Sequence, residues 1–429
     1  TWTTPSKPAR GVRCLQLSAA WPHLPHLRHE VHLRDMLHGT VTFVVLVAFA
    51  VAGSELRAAL ARRGLRAPAM EGLSFLVLGV VLGGDGLGLF PEDVLAALRV
   101  VVLLGLAWIG LVFGLQIEWR VIRQLRPWHR LLGWVVPSCF GVVVLGGGLL
   151  LGIPGPLSLG LAAVGTAGSP ATLEAVARGR RPVDRSVLRL LKLVTAYSGL
   201  PAVVVFAVAA AEASPVVLGG ALPGWELLLF IVCIGVLVGY LSLALVRGLT
   251  DKIRILTMLA GTMSGLAGAC ALLGASGLPA AALTGAVLIN RSRFPHRMLR
   301  VAHSLERPLL VALLVLVGAS WQGGSFSWPV FALMAAGRLL GATIGGAMLS
   351  FAARRRALAF EVKGVGLGLL PQGELALGLV VALVSFVPGT DGVLEAVVAA
   401  VALHQLIGQL WLRWRLFGPP DRGPVSYTH

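Results

Sequence analysis

Charge is in short supply in this sequence. Asp, Glu, Lys and Arg make up 13% of its 429 residues, where soluble domains carry about 25%. The shortage argues against a soluble multidomain chain. Hydrophobic residues reach 56%, mean hydropathy is +0.85, and apolar runs of about 20 residues, enough to cross a bilayer as helices, recur throughout. Cysteine is also sparse: Cys14, Cys139, Cys233 and Cys270 stand apart, with no CxxC or zinc-type spacing. The last three lie in apolar runs and read as small packing residues. There is no aromatic–basic interleaving of the kind that stacks bases, so the formal charge of +17 does not call for nucleic acid. No nucleophile–base pair or metal-ligand set stands out, and neither an enzyme nor a cofactor is expected. The histidines of "PHLPHLRHEVHLRD" have HExH spacing, not the HExxH spacing that puts two histidines on one helix face.

What the sequence does hold is a regular series of about thirteen spans: 37–55, 70–88, 94–115, 132–151, 158–177, 187–211, 225–247, 255–273, 274–290, 305–320, 328–350, 358–387 and 393–415. The basic residues explain the charge. They fall on alternate short loops: Arg57, Arg62, Arg63 and Arg66; Arg120, Arg123, Arg126 and Arg130; Arg178, Arg180, Arg181 and Arg185; Arg247, Lys252 and Arg254; Arg291, Arg293, Arg297 and Arg300; Arg354, Arg355 and Arg356. By the positive-inside rule these loops are cytoplasmic. The expected protein is therefore multi-pass in the cell inner (plasma) membrane, with its N-terminus outside and its C-terminus cytoplasmic. Residues 1–36, which begin at Thr1 and end at Met36 before the first run, are expected to be a disordered or non-native extension. The membrane transporter domain is expected over 37–417, and a disordered tail over 418–429.

Two spans carry interruptions. "VGTAGSPATLEAV" places Gly165, Gly168, Ser169 and Pro170 in span five, and "LGLLPQGELALGL" places Pro371 and Gly373 in span twelve. With span seven as connector, spans one to six and eight to thirteen form two inverted repeats, and both breaks fall in the fifth span of their repeat. Matched Gly/Pro interruptions point to a transporter's midplane site. Each proline lacks an N–H and clashes with the preceding turn. The freed backbone groups are tolerable at that depth only where they face protein or water.

In order and spacing, the motifs resemble the monovalent cation/proton antiporter superfamily, in its Kef-type and bacterial sodium/proton exchanger branch. They are "WIGLVFGLQIEW", "AVGTAGSPATLEAV", "GLPAAALTGAVLINR", "LLVLVGASW" and "RALAFEVKGVGLGLLPQGELALGL", and the resemblance runs from about residue 40 to 416. It implies an all-α fold of thirteen helices in inverted repeats, with two crossed discontinuous helices, a mobile core and a panel that forms a homodimer. It also implies exchange of a monovalent cation, Na+ or K+, for protons. One element of the family pattern is missing: where span six has an acidic pair, this chain has Ser198 and Gly199, and no carboxylate lies between Arg185 and Ala211.

Ionisable residues at membrane depth are costly and functional by default. Glu374, three residues after Pro371, is the expected proton or cation carrier. Ser169, Thr166 and Ser198 are expected polar ligands. Arg338, which the resemblance places as the span-eleven countercharge, is expected to pair with Glu374 or Glu174, taken as the only deep carboxylates. Glu174 and Lys192 read either as pathway residues or as snorkelling groups, and Lys363 as a snorkelling one. Gly168, Pro170, Pro371 and Gly373 form the helix breaks. Two other readings stay open: a proton-uncoupled channel or anion permease on the same fold, favoured by the absent acid and by Arg338 with Lys192, and a transport-inactive membrane sensor or scaffold.

Overall fold

The computed structural model describes residues 71–83, 87–177, 185–213, 224–246, 251–292, 294–321, 326–355, 364–387, 389–390 and 392–416. The expected N-terminal extension, the first span, the Arg178, Arg180 and Arg181 cluster, Lys363 and the C-terminal tail lie outside the described residues.

The elements are helices: α1 (Glu71–Leu82), α2 (Arg99–Leu115), α3 (Pro127–Leu150), α4 (Gly155–Thr166), α5 (Pro170–Ala177), α6 (Arg185–Tyr197), α7 (Gly199–Glu212), α8 (Gly224–Val246), α9 (Lys252–Leu272), α10 (Gly277–Arg291), α11 (Pro295–Ala319), α12 (Trp328–Arg355), α13 (Glu374–Phe386) and α14 (Val393–Trp411), with short one-turn pieces between some of them. Among the described residues, eight helices are long and apolar enough to cross a membrane, counting α6 and α7 as one. Within the described residues, expected spans two to thirteen fall on the helices above, with two corrections. Span two, expected to reach residue 88, ends at Leu82. Span ten, expected from residue 305, begins at Pro295. Proline is preorganised for the first helical position, so it starts the helix about three turns before the expected boundary and draws residues 295–304, His303 among them, into it.

Two bundles result. In one, α2 is sandwiched by α9, α10 and α11, with α1 on α11 and α8 on α10. Trp108, Leu111, Leu115, Leu259 and Met263 are sealed within it. In the other, α12 packs on α3 and α14, while α3, α4 and α7 pack together. The bundles meet where α13 touches α2 and α7 touches α8 and α10. Both interrupted helices lie in the second bundle.

Candidate functional site

The interruption in span five is real: α4 ends at Thr166, residues 167–169 leave the helix, and α5 begins at Pro170. In span twelve a 3₁₀ turn over Val365–Leu369 gives way to unwound backbone, and α13 starts at Glu374. The two breaks meet. The Ser169 N–H donates to the Pro371 carbonyl at 3.0 Å. A Cβ on Gly373 would fall 2.7 Å from Ser169 Oγ, and one on Gly168 would fall 2.9 Å from Ser198 Oγ. The glycines in both breaks are therefore required by close approach. Pro371 in turn sits against α14, where Gly408 makes room for its ring.

Four half-helix ends converge here, each with its unpaired backbone groups. The ends of α4 and of the 3₁₀ turn present carbonyls and the negative end of a helix dipole. Arg338 from α12 answers both. It donates through Nε to Leu370 O at 3.1 Å, through Nη2 to Leu369 O at 3.1 Å, and through Nη1 to Gly165 O. Its guanidinium lies 4.9 Å from the centroid of the Phe140 ring, and the side chain is 1% exposed. The opposite ends present N–H groups. Ser169 caps α5, its Oγ accepting from the Thr172 N–H at 3.2 Å, with Pro170 in the first helical position. Glu374 places a carboxyl in the first turn of α13, where the dipole favours negative charge.

Side chains complete the crossing. Ser198 Oγ accepts from the Gly168 N–H at 2.8 Å and donates to Thr195 O. Gln372 donates to Val164 O at 2.7 Å. His404, 1% exposed, lies with Nδ1 3.1 Å from Gln372 Oε1 and Nε2 3.3 Å from Ala335 O. Gln405 donates to Thr172 Oγ1, which donates to Ser169 Oγ at 2.9 Å. A small pocket opens beside the crossing, lined by Phe140, Thr166, Gly168, Thr195, Ser198 and Arg338. Among the described residues, the polar side chains that line it belong to Thr166, Thr195, Ser198 and Arg338.

Ser169, Gly168, Pro170, Ser198, Pro371, Gly373 and Arg338 are thus brought together. Thr166 lines the pocket, but its hydroxyl donates to Ala162 O in its own helix. The expected pairing of Arg338 with Glu374 or Glu174 is not formed: the bonds of the guanidinium go to three carbonyl oxygens, because two helix ends already supply negative potential at that point. Glu174 instead pairs with Lys192 at 3.6 Å, with both side chains substantially exposed. Glu374 is exposed, and the charged groups that act on it are those of Glu306, Arg307 and His303 on α11. His303 Nδ1 contacts Glu306 Oε2 in turn. Sequence reasoning passed over Gln372, His404, Thr172, Gln405, Glu306 and His303. His404 and Gln405 are adjacent polar residues in an apolar run, a detectable signal, while Gln372 lies within one break and Thr172 in the first turn after the other. His303 was lost because span ten was started too late, whereas Glu306 lies inside the span expected from residue 305. Among the described residues, no group of three His, Cys, Asp or Glu side chains is arranged to hold a metal ion.

Fold and site together define a multi-pass helical membrane transporter with two discontinuous helices crossing at a polar centre. The family model described as "Sodium/hydrogen exchanger, transmembrane" matches residues 46–418, and the chain belongs to that family. Among solved structures it is similar to the sodium proton antiporter MjNhaP1 from Methanocaldococcus jannaschii at pH 8. The TM-score is 0.59 at 15% identity, covering 88% of this chain and 96% of that one. No curated protein sequence matches.

Proposed function

We propose that this protein exchanges a monovalent cation, Na+ or K+, for protons by alternating access, with Glu374 as the titrating carrier. The observation that carries this reading is the direct meeting of the two breaks, Ser169 N–H on Pro371 O, at a centre of unpaired backbone groups and hydroxyls suited to a small desolvated ion. Family membership supports cation/proton exchange as the chemistry. The Ser169 and Ser198 hydroxyls and the freed backbone carbonyls serve as cation ligands. Arg338 holds the carbonyl ends of both broken helices together, so that they move as one body. Arginine on alternate loops supports an inner-membrane orientation with the C-terminus cytoplasmic, and the resemblance supports a homodimer.

The pocket lining favours a second reading, an anion permease: among the described residues, its polar side chains are those of Arg338, Thr166, Thr195 and Ser198. Proteoliposomes separate the two. An imposed pH gradient dissipated by added sodium or potassium, and no longer dissipated in Glu374→Gln, supports exchange. Chloride-driven flux without proton movement supports the permease and overturns exchange.

A further inference from the structure

Adjacent residues of α14 grip the two breaks. His404 reaches the span-twelve break through Gln372, and Gly408 receives the Pro371 ring. Gln405 reaches the span-five break: its Nε2 lies 2.8 Å from Thr172 Oγ1, which lies 2.9 Å from Ser169 Oγ. Ser169 stands where the breaks meet, its N–H on Pro371 O and its Oγ against Gly373. Resting on the exchange reading, we infer that Thr172 and Gln405 are positioning residues of the cation site: the direction of their hydrogen-bond relay decides whether Ser169 turns a lone pair or a proton toward the ion.

A hydroxyl oxygen has two lone pairs and one proton. Ser169 Oγ accepts from the Thr172 N–H at 3.2 Å and from the Thr172 hydroxyl at 2.9 Å. Both lone pairs are then filled, and Ser169 has only its proton left to offer. The relay runs this way because the Gln405 amide faces Thr172 with its NH2, which only donates, so the Thr172 proton is directed to Ser169. The other end of the amide is not tied down. Gln405 Oε1 is buried and has no hydrogen-bond partner among the described residues, and a buried acceptor without a donor is costly. Half a turn of the amide brings this oxygen to Thr172 and reverses the relay. Thr172 then donates to Gln405, Ser169 donates to Thr172, and Ser169 Oγ accepts from the Thr172 N–H alone. One lone pair is free. The number of hydrogen bonds is the same in both directions, and the two hydroxyl oxygens stay in place. A cation interacts with the second arrangement and not the first, so it shifts the relay by that difference in affinity. Gln405 and Thr172 thereby set the affinity of the site without touching the ion.

Thermal-shift titration of the purified full-length protein with sodium or potassium chloride, at ionic strength held constant with choline chloride, reads cation binding without transport. Thr172→Val removes the hydroxyl and keeps the N–H. Its binding midpoint should fall about three-fold or more, the worth of one hydrogen bond, with flux at saturating cation little changed and the KM following the midpoint. Thr172→Ser should keep the wild-type midpoint. Gln405→Leu should lower the midpoint by itself and add nothing in Thr172→Val, because it acts only through that hydroxyl. In a Ser169→Ala background Thr172→Val should leave the midpoint unmoved. A matching elution profile and circular dichroism spectrum establish that each variant is folded. A purely structural role would change the cation-free unfolding temperature and not the binding midpoint. An unchanged or raised midpoint in Thr172→Val, or a further effect of Gln405→Leu in that background, overturns the relay and leaves exchange standing. Cation-driven proton flux on the same preparations separates the two claims. Wild-type binding without proton movement removes exchange, and the midpoints still decide the relay. A wild type that neither binds nor moves either cation removes both.

Discussion

The two bundles solve the same problem, helix cohesion without a hydrophobic drive in lipid. Both use close backbone approach at glycine, a Cβ on Gly366 falling 1.8 Å from Ala342 O in the broken bundle, but they differ in where their polar contacts are aimed. In the continuous bundle, small residues let backbones touch. A Cβ on Gly114 would fall 2.0 Å from Ala282 O, one on Gly110 2.2 Å from Leu278 O, and one on Gly318 2.1 Å from Leu76 O. Cohesion there is van der Waals contact over complementary backbone surfaces. In the broken bundle, directed polar contacts are aimed at the breaks: Arg338 to three carbonyls, Gln372 to Val164 O and Ser198 to the Gly168 N–H. In the continuous bundle the polar contacts join intact helices: Trp108 Nε1–H to Ala302 O, Thr284 to Gly235 O and Asn290 to Ile117 O. Directed polar contacts hold broken helices together while leaving polar atoms for cargo. The proposed transport chemistry lies at the crossing in the broken bundle.

Arg338→Met tests the contrast most severely. It leaves the carbonyls of Gly165, Leu369 and Leu370 without their donor in a buried site, at about 1–3 kcal/mol for each unsatisfied group. The expected outcome is loss of most folded protein, or a thermal midpoint in detergent far below the wild type. Arg338→Lys should recover little, because one ammonium cannot reproduce a planar fork aimed at two helix ends. Near-normal stability in Arg338→Met would break the claim that this side chain ties the crossing together.

The complementary lesion is Gly114→Val in the continuous bundle. Its Cβ would fall against Ala282 O, so α2 and α10 must separate, a strain of about 3 kcal/mol at the upper end of typical overpacking. Thermal unfolding should drop accordingly, while flux per folded molecule stays near wild type. A variant that is stable but has lost transport would show that the continuous bundle takes part in the chemistry.

How much of this was legible in the sequence depends on what each element answers to. The spans were readable because burial in lipid imposes a hydrophobic run on each helix, and the matched breaks because Gly and Pro are local signals that survive without tertiary context. That the two breaks come together was expected from their matched positions in the two repeats; that Ser169 in particular meets Pro371 was not. The destination of Arg338 did not. A sequence shows charges but not helix dipoles, so a carboxylate partner was expected where two helix ends serve instead. Glu306 was hidden for another reason. It lies at the edge of the expected span, after a polar, basic stretch, and Pro295, eleven residues earlier, shows that it sits well within a helix. His404, beside Gln405 in an apolar run, and Gln372, inside the span-twelve break, carried a weak signal, whose meaning depends on a contact between α14 and that break.

Smaller effects sharpen the boundary of the site. Ser198→Ala removes the acceptor for the Gly168 N–H and a hydroxyl from the pocket lining. A buried donor left unpaired costs about 1–2 kcal/mol, so the protein should fold with a modest loss of thermal stability. If Ser198 also binds the cation, the KM for sodium or potassium should rise several-fold while the flux at saturating cation changes little. An unchanged KM would confine Ser198 to holding the break.

Lys192 and Glu174 set the outer limit. Both sit on helices that lead to the crossing, and either could have been read as a pathway charge. Their mutual distance is 3.6 Å, with side-chain exposures of 43% and 58%. An exposed pair of this kind contributes less than about 1 kcal/mol, because solvent screens the attraction and two long side chains lose rotamer freedom. Lys192→Gln should therefore leave thermal stability within that margin, and since the pair is neutral overall and separate from the Arg338 contacts, cation-driven flux should be unchanged too. The double variant Lys192→Gln/Glu174→Gln should match the single one. A flux loss in Lys192→Gln that Glu174→Gln reverses would place the pair's net charge on the ion's route and move the edge of the site outward along α5 and α6. Loss in the single variant with no reversal would assign the lysine its own role, and with it the permease reading would gain the second cation that Arg338, occupied by carbonyls, does not supply.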